Sequence, residues 1–430
     1  AAYYQPDRLY TPHSDVIMLC GDEVGANVVD MGNSLCRFGS AGYDTPSLVM
    51  RTDVGYKETS PNDFYIGDSA LRVCREGMEI KKAVTPESID WCATESILKH
   101  GIRETNRGNP DVKYPLLLAE NYFTTNERKE KMLEILFENM QLPAAYFCHN
   151  AALSSFCFAR QTSLVVDIGA SQLRVVPVVD GFALTRSMVC SNQGGNFFDD
   201  LVKDKVLKGH KKIQLSSFQP PSVFGKQKLP SVSNSFLQMH TSDTIRDLKH
   251  WMSFISSDKS SGSSSDVADI PPYELPDGTL IYPSEDICKC VERDYFSNSY
   301  ECTFEKFQQR TSIYNRDISL TAAPLPELVF TAVANCDVDI RRELLNNIIL
   351  VGGGSLCDGI ATRLAEDISK VAPSCAKAKV IGSQDPIEKH HAAWIGGSIL
   401  SICGSFQQMW ISREDYVEYG PSVHMQKSNN

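Results

Sequence analysis

Short apolar runs that end at glycine turns alternate along this chain with longer stretches of helical period. Tyr114 to Ala119 and Asn347 to Val351 are apolar runs and read as buried strands. Residues 88–105 place Ile89, Ala93, Ile97 and Leu98 on one side of a helix. Asn126 to Met140 is amphipathic, with Met132, Ile135, Leu136 and Met140 facing in, and Pro143 stops it. Residues 144–160 read as a small-residue-rich helix, another helix begins near Phe197, and Asp243 to Ile255 is helical. Pro276-Asp277-Gly278 is a hairpin turn, and residues 285–345 carry helices interrupted by Pro324 and Pro326. Residues 51–63 are polar and read as a surface loop, after which Phe64-Tyr65-Ile66-Gly67 starts a new element. Residues 1–20 read as a mobile, Pro-containing arm, and 211–235 as irregular. The Ser/Gly/Asp stretch 256–269 cannot bury enough apolar surface to order itself.

Two stretches repeat one pattern, V-V-D-x-G-x-S-x-x-R. The first is Val28-Val29-Asp30-Met31-Gly32-Asn33-Ser34, ending in Arg37; the second is Val165-Val166-Asp167-Ile168-Gly169-Ala170-Ser171, ending in Arg174. The valines make a buried strand, and the Asp stands at its end, where a carboxylate can hold a metal through water. The small residues then turn the chain and bare backbone N–H groups that cradle phosphate oxygens. Asp-x-Gly is also an ordinary turn. The second copy makes the pair a duplicated unit, one phosphate hairpin on each side of a cleft. A third loop, Gly352-Gly353-Gly354-Ser355, joins a strand to a helix with apolar Leu356, Ile360, Leu364 and Ile368. Such a loop brings backbone close to a ligand at a positive helix end. Taken alone, it reads more readily as structural punctuation.

A length of 430 residues implies two lobes or more, and 42% hydrophobic content supplies ordinary cores. The net charge of −11 argues against a broad nucleic-acid footprint. The five lysines and His210 between Lys203 and Lys212 read as a solvated helix face or a local basic patch. Fourteen cysteines lie scattered, with no C-x-x-C pair; Cys288 and Cys290 are the nearest two. That usage points to a reducing compartment and no cysteine metal site. No secretory signal and no apolar run of membrane-spanning length is expected from the sequence.

The order hairpin, hairpin, glycine-rich strand-to-helix loop resembles the actin–hexokinase–heat-shock-70 ATPase superfamily. Trp394-Ile395-Gly396-Gly397-Ser398-Ile399-Leu400 and then Phe406-Gln407-Gln408-Met409-Trp410-Ile411-Ser412 are similar to the actins, and sugar kinases and chaperone ATPases lack them. The likeness covers nearly all of the chain except the arm, residues 51–63 and much of 205–285. Four segments resemble the nuclear actin-related proteins: Gly21-Asp22-Glu23-Val24-Gly25; Ala70-Leu71-Arg72-Val73 with Gly77-Met78-Glu79; Lys228-Leu229-Pro230; and Cys336-Asp337-Val338-Asp339-Ile340-Arg341. The resemblance implies an α/β actin-like ATPase fold, two duplicated lobes with four subdomains around a nucleotide cleft. Residues 21–50, 81–162 and 380–430 would form subdomain 1, and 51–80 subdomain 2. Residues 163–204 with 286–379 would form subdomain 3, and 205–285 subdomain 4, with the Ser-rich loop 256–269 inside it. It further implies a nuclear structural subunit of chromatin-remodelling or histone acetyltransferase complexes. Such a subunit binds ATP or ADP with Mg, and pairs with actin on a long scaffold helix of a remodeller ATPase or acetyltransferase scaffold. It reads no nucleic-acid sequence and meets no membrane.

Carried over residue by residue, the first phosphate loop falls on Asp30, Gly32, Asn33, Ser34, Leu35 and Arg37. The second falls on Asp167, Gly169, Ala170, Ser171 and Gln172, with Mg held through water by Asp30 and Asp167. The adenosine side falls on Lys249, His250, Gly352, Gly353, Gly354, Leu356 and His390. Arg37 stands where actins have a phosphate-binding lysine; it keeps the charge on a planar fork. Ala170 replaces a second carboxylate. His250 replaces an acidic residue at the ribose and His390 a lysine at the adenine edge, each readable as a retained contact or as surface drift. The hydrolytic Gln and His positions read Asn150 and Arg174. Asn150 is one methylene shorter, and Arg174 stays protonated and cannot act as a base. These departures imply a nucleotide held as a structural ligand, with hydrolysis slow or absent and no catalytic residue to assign.

The competing readings are a filament-associated cytoplasmic actin or actin-related cap with ATP turnover, and a metabolite kinase. Residues 51–63 lack the apolar plug of a filament contact, and no carboxylate base follows the second hairpin as a kinase needs. Ala151 to Arg160 and Gly397 to Trp410 are expected side by side at the base of the lobes. Phe156, Leu400, Cys403, Ser405 and Met409 fall where actins line an apolar groove. They suit a docked helix, because Met adapts to varied apolar faces, or else are plain core.

Overall fold

The computed structural model describes residues 25–106, 113–120, 125–209, 232–256, 267, 269–296, 323–372, 377–382 and 385–427. The arm, Gly21 to Val24, Lys228-Leu229-Pro230, 211–231 and 257–266 lie outside the described residues. Strands β1 (Asn27–Met31) and β2 (Leu35–Ser40) form the first hairpin, and β3 (Leu48–Arg51) lies beside β2. Strands β4 (Asp53–Lys57), β5 (Ser60–Tyr65) and β6 (Met78–Lys82) make a separate three-stranded sheet in the order β5-β4-β6. Strands β7 (Leu116–Glu120) and β8 (Ala144–His149) return to the first sheet. The second hairpin is β9 (Ser163–Ile168) with β10 (Leu173–Val179).

The repeated sequence is a repeated topology. β1 pairs antiparallel with β2 and parallel with β7; β9 pairs antiparallel with β10 and parallel with Ile348–Val351. Every residue of β1, β7 and Ile348–Val351 is buried, as central strands covered on both faces must be. Each sheet backs its own core. One gathers Val29, Met31, Phe38, Ile97, Leu118 and Leu136; the other gathers Val166, Leu173, Leu248, Leu328, Leu350 and Leu364.

Helices Asn150–Cys157 and Pro386–Ile402 pack closely against each other between these cores. A Cβ on Gly396 would stand 1.8 Å from the Leu153 carbonyl oxygen, so only glycine admits this approach. Trp394, two residues before it, is fully buried and its indole N–H donates to the Val28 carbonyl at 3.0 Å. The helix therefore ties the C-terminal region to the strand that carries the first hairpin.

Several elements differ from the sequence reading. Residues 51–63 are the end of β3, β4 and most of β5, and Tyr65 closes β5 rather than starting an element. Their outward positions are polar, so a hairpin exposed on one face looks like a loop. Residues 144–149 are strand β8, and the helix begins at Asn150, because His149 caps it by accepting the Ala151 N–H. Asn126–Glu134 is α-helical, but Ile135–Asn139 continues as a π turn that buries Ile135, Leu136 and Phe137 together. The helix expected from Asp243 starts at Asn234, capped by Ser233, and ends at Met252. Pro324 and Pro326 open the helix Leu325–Ala334 rather than interrupt one; a missing N–H costs nothing in a first turn. The Pro276-Asp277-Gly278 hairpin is present, with Gly278 at φ 82° between Tyr273–Glu274 and Leu280–Ile281.

Candidate functional site

The two hairpins place their charged residues in equivalent register. Asp30 faces Arg37 across β1 and β2, and Asp167 faces Arg174 across β9 and β10. Residues directly opposite share a face, with Cβ atoms about 5 Å apart. The Gly32 N–H donates to Leu35 O and the Gly169 N–H to Gln172 O, each at 2.9 Å. These two amides close their own turns, so any amides the turns leave for a ligand belong to other residues of the loops. Gly195 N and Asn196 N in turn donate to Gly169 O and Ala170 O, and fix the second turn from outside. Asn33 donates to Val84 O at 2.9 Å and accepts from Asn196 Nδ2 at 3.3 Å, which links the two hairpins.

The charged groups are already matched. Arg37 Nη1 donates to Asp30 Oδ2 at 2.8 Å, and both side chains are nearly covered. Arg37 Nε donates to His391 Nδ1 at 2.8 Å. Burial, helped by Arg37, pushes the His391 imidazole down to about 3, so it is neutral and accepts at Nδ1. Asp167 Oδ2 accepts from Asn150 Nδ2 at 3.1 Å. Burial lifts the Asp167 carboxyl to about 6; Arg174 and Arg37 pull it back and Asp30 pushes it further up. Arg174 Nη2 donates to Gln172 Oε1 at 2.9 Å. A hydrated dication held by Asp30 and Asp167 fits this donor set poorly: Arg37 already pairs with Asp30, burial disfavours the charge on Asp167, which accepts from Asn150, and Ala170 offers no third carboxylate. Among the described residues no three His, Cys, Asp or Glu side chains group as metal ligands.

The glycine loop closes over the second hairpin. Gly352 sits at φ 90°, and a Cβ there would lie 2.5 Å from both Asp167 Oδ1 and Ile168 O. Only glycine permits that close approach of the loop backbone to Asp167, and the Gly352 N–H is itself fixed by donating to Lys389 O at 3.0 Å. Ser355 Oγ donates to Gly352 O at 2.7 Å, and Gly353 to Leu356 form a short 3₁₀ turn. His390 lies against Gly353, 3.6 Å from where a Cβ would stand. Burial, with Arg37, His391 and His250 nearby, holds His390 well below the usual imidazole range. A neutral ring can meet an adenine edge by hydrogen bonding, without the charge of a lysine. Lys249 Nζ pairs with Asp199 Oδ1 at 2.6 Å and donates to Gly195 O at 3.0 Å. His250 follows it at the exposed side of the same helix.

The structure thus brings together the two hairpins, Asn150, the glycine loop, His390 and Lys249. The sequence reading missed His391, Asp199 and Asn196. The His390-His391 doublet was a visible signal, but nothing in the sequence assigns the second ring to an arginine 354 positions away. Of the expected groove residues, Leu400, Cys403 and Met409 pack round Trp394, Phe406 and Trp410, and Ser405 is exposed. Phe156 instead covers Gly181, 3.2 Å from where a Cβ would stand.

Comparison with known proteins agrees with this geometry. The actin family's profile, described as Actin, matches residues 21–429. "Actin-related protein 4" of Arabidopsis thaliana is 31% identical over 95% of this chain and 100% of its own length. The protein of the same name from Yarrowia lipolytica is 31% identical over 95% of this chain and 96% of itself. That from Schizosaccharomyces pombe is 30% identical over 93% and 96%. With a profile match and relatives that run almost end to end, and two topologically equivalent hairpins facing a glycine loop, the chain belongs to the actin family, as an actin-related protein of the actin fold.

Proposed function

We propose that this chain is a nuclear structural subunit of chromatin-remodelling or histone acetyltransferase assemblies, which holds ATP or ADP without turning it over at an actin-like rate. The observation that carries the reading is the state of the two water-positioning places. Asn150 is tied to Asp167 and Arg174 to Gln172, so neither is poised to orient or deprotonate a water. The nuclear assignment rests on the segments that resemble nuclear actin-related proteins, and Cys336–Arg341 among them leads into the helix Val338–Asn346, with Arg341 Nε donating back to Cys336 O at 2.9 Å. The exposed tip of β5 is polar, Pro61 to Asp63, which suits a subunit that does not stack longitudinally into filaments.

Actin is the expected neighbour, with both proteins docked on a long amphipathic scaffold helix. The groove is built from Leu400, Cys403, Ser405 and Met409, with Phe156 beyond Gly181. Affinity purification of the full chain from nuclear extract, with mass spectrometry, tests this reading. Actin and a helix-bearing scaffold should co-purify in comparable amounts. Met409→Glu would bury a carboxylate on docking at a cost of several kcal/mol, about 3 or more. That variant should lose the scaffold and keep nucleotide. Recovery of scaffold at wild-type yield refutes the groove, and regular filaments of the purified chain alone refute the subunit reading.

A further inference from the structure

Four charged groups lie on the facing surfaces of the two hairpins: Asp30, Arg37, Asp167 and Arg174. Register sets Asp30 opposite Arg37 and Asp167 opposite Arg174, and the first of these is an ion pair at 2.8 Å. Arg37 is fixed twice, by Asp30 at 2.8 Å and by His391 at 2.8 Å, so its fork has one orientation. Arg174 is oriented by Gln172 through Nε and Nη2. Asp167 lies within the field of both arginines and of Asp30, so the four groups are electrostatically coupled across the two hairpins. The third position from which a carboxylate could face a metal is Ala170.

A nucleotide triphosphate brings several negative charges to this floor. In a site of two or three carboxylates, a dication must bridge them to the phosphates. Here Asp30 is already compensated by Arg37 and Asp167 is held by the Asn150 amide, and planar guanidinium forks that match phosphate oxygens stand across the strands from them. A dication would meet two guanidiniums in place of a carboxylate cage. We infer that the cleft takes the phosphates of an adenine nucleotide without a divalent cation, with Arg37 and Arg174 supplying the positive charge on either side. His391 is then a positioning residue for Arg37. The inference rests on the nucleotide reading above, and its test separates the two.

The test is calorimetric titration of the full chain with ATP, once in EDTA and once in excess MgCl2 at matched ionic strength. The expected affinities agree within about threefold. An affinity higher by about tenfold or more with Mg overturns the inference and leaves the nucleotide reading intact. No uptake in either buffer overturns the nucleotide reading and this inference with it. Arg174→Gln should weaken metal-free binding by about tenfold, and Arg174→Lys should recover most of it. Unchanged metal-free affinity in a folded Arg174→Gln protein removes Arg174 from the site. The double variant Ala170→Asp, Arg174→His restores a carboxylate and removes a fixed cation. It should acquire a preference for Mg, and its failure to do so counts against the charge argument.

Discussion

Arg51 joins the two cores, and its removal is the most informative perturbation outside the cleft floor. Its guanidinium reaches three carboxylates: Nε to Asp68 at 2.5 Å, Nη2 to Asp243 at 2.5 Å, and Nη1 to Asp53 at 3.7 Å. Asp53 belongs to the three-stranded sheet, and Asp68 to the short helix Asp68–Leu71 between its strands β5 and β6. Asp243 sits on Asn234–Met252, the helix whose Ile245, Leu248 and Met252 fill the second core. The same junction is sealed by Ile80 N–H donating to Ser235 Oγ at 2.9 Å and Ser233 Oγ donating to Met78 O at 2.7 Å. The Asp68 side chain is 0% exposed and the Asp243 side chain 22%. Arg51→Met deprives a fully buried carboxylate of its cation and should cost about 3–5 kcal/mol of global stability. Asp243→Asn removes one charge from a partly wet pair and should cost about 1 kcal/mol, most of it at the junction. Denaturant unfolding measures the first. Amide hydrogen exchange at Ile80 measures the second, with an acceleration of about fivefold in Asp243→Asn while strands β1 and β7 stay protected. Equal global costs for the two variants, or unchanged exchange at Ile80, would refute the assignment of a buried anchor at Asp68 and a separate latch at Asp243.

Three further outcomes follow from the same geometry. Gly352→Ala forces a side chain to φ 90° and to within 2.5 Å of two oxygens; it should destabilise by about 2 kcal/mol or more and abolish nucleotide uptake, read by melting and calorimetry. His391 has its folded value lowered to about 3, so the unfolded chain binds the proton first and stability falls as pH drops below the ordinary 6.5. By pH 5 that one ring contributes a loss of about 2 kcal/mol, and His391→Asn, which can still accept from Arg37, should flatten the slope in unfolding titrations. Hydrolysis of ATP should be slower than by conventional actin in the same buffer, and Asn150→Gln with Arg174→His should raise it; a wild-type rate equal to actin's would sink the structural-ligand reading.

What the sequence determined by itself was local and repeated. Val-Val before Asp-x-Gly specifies a buried strand ending in a turn, and two copies specify two hairpins, because period, turn chemistry and burial agree within ten residues. The same holds for the apolar run before Gly352 and for the Pro276-Asp277-Gly278 turn. Element ends were less legible. Residues 144–149 became strand rather than helix because a parallel partner, β7, was available beside them, and residues 51–63 became β-structure because β6 arrives from fifteen or more residues later. The charge balance of the cleft was decided only by tertiary structure. Sequence shows that Asp30 and Arg37 are seven apart, but strand register makes them a pair. It shows a histidine doublet, but the packing of Pro386–Ile402 against β1, through Trp394 and Gly397, carries His391 to Arg37. Local pattern sets what each segment is; the partners of a buried charge are set by whichever distant segments the fold encloses with it, since a buried charge must find its compensation there.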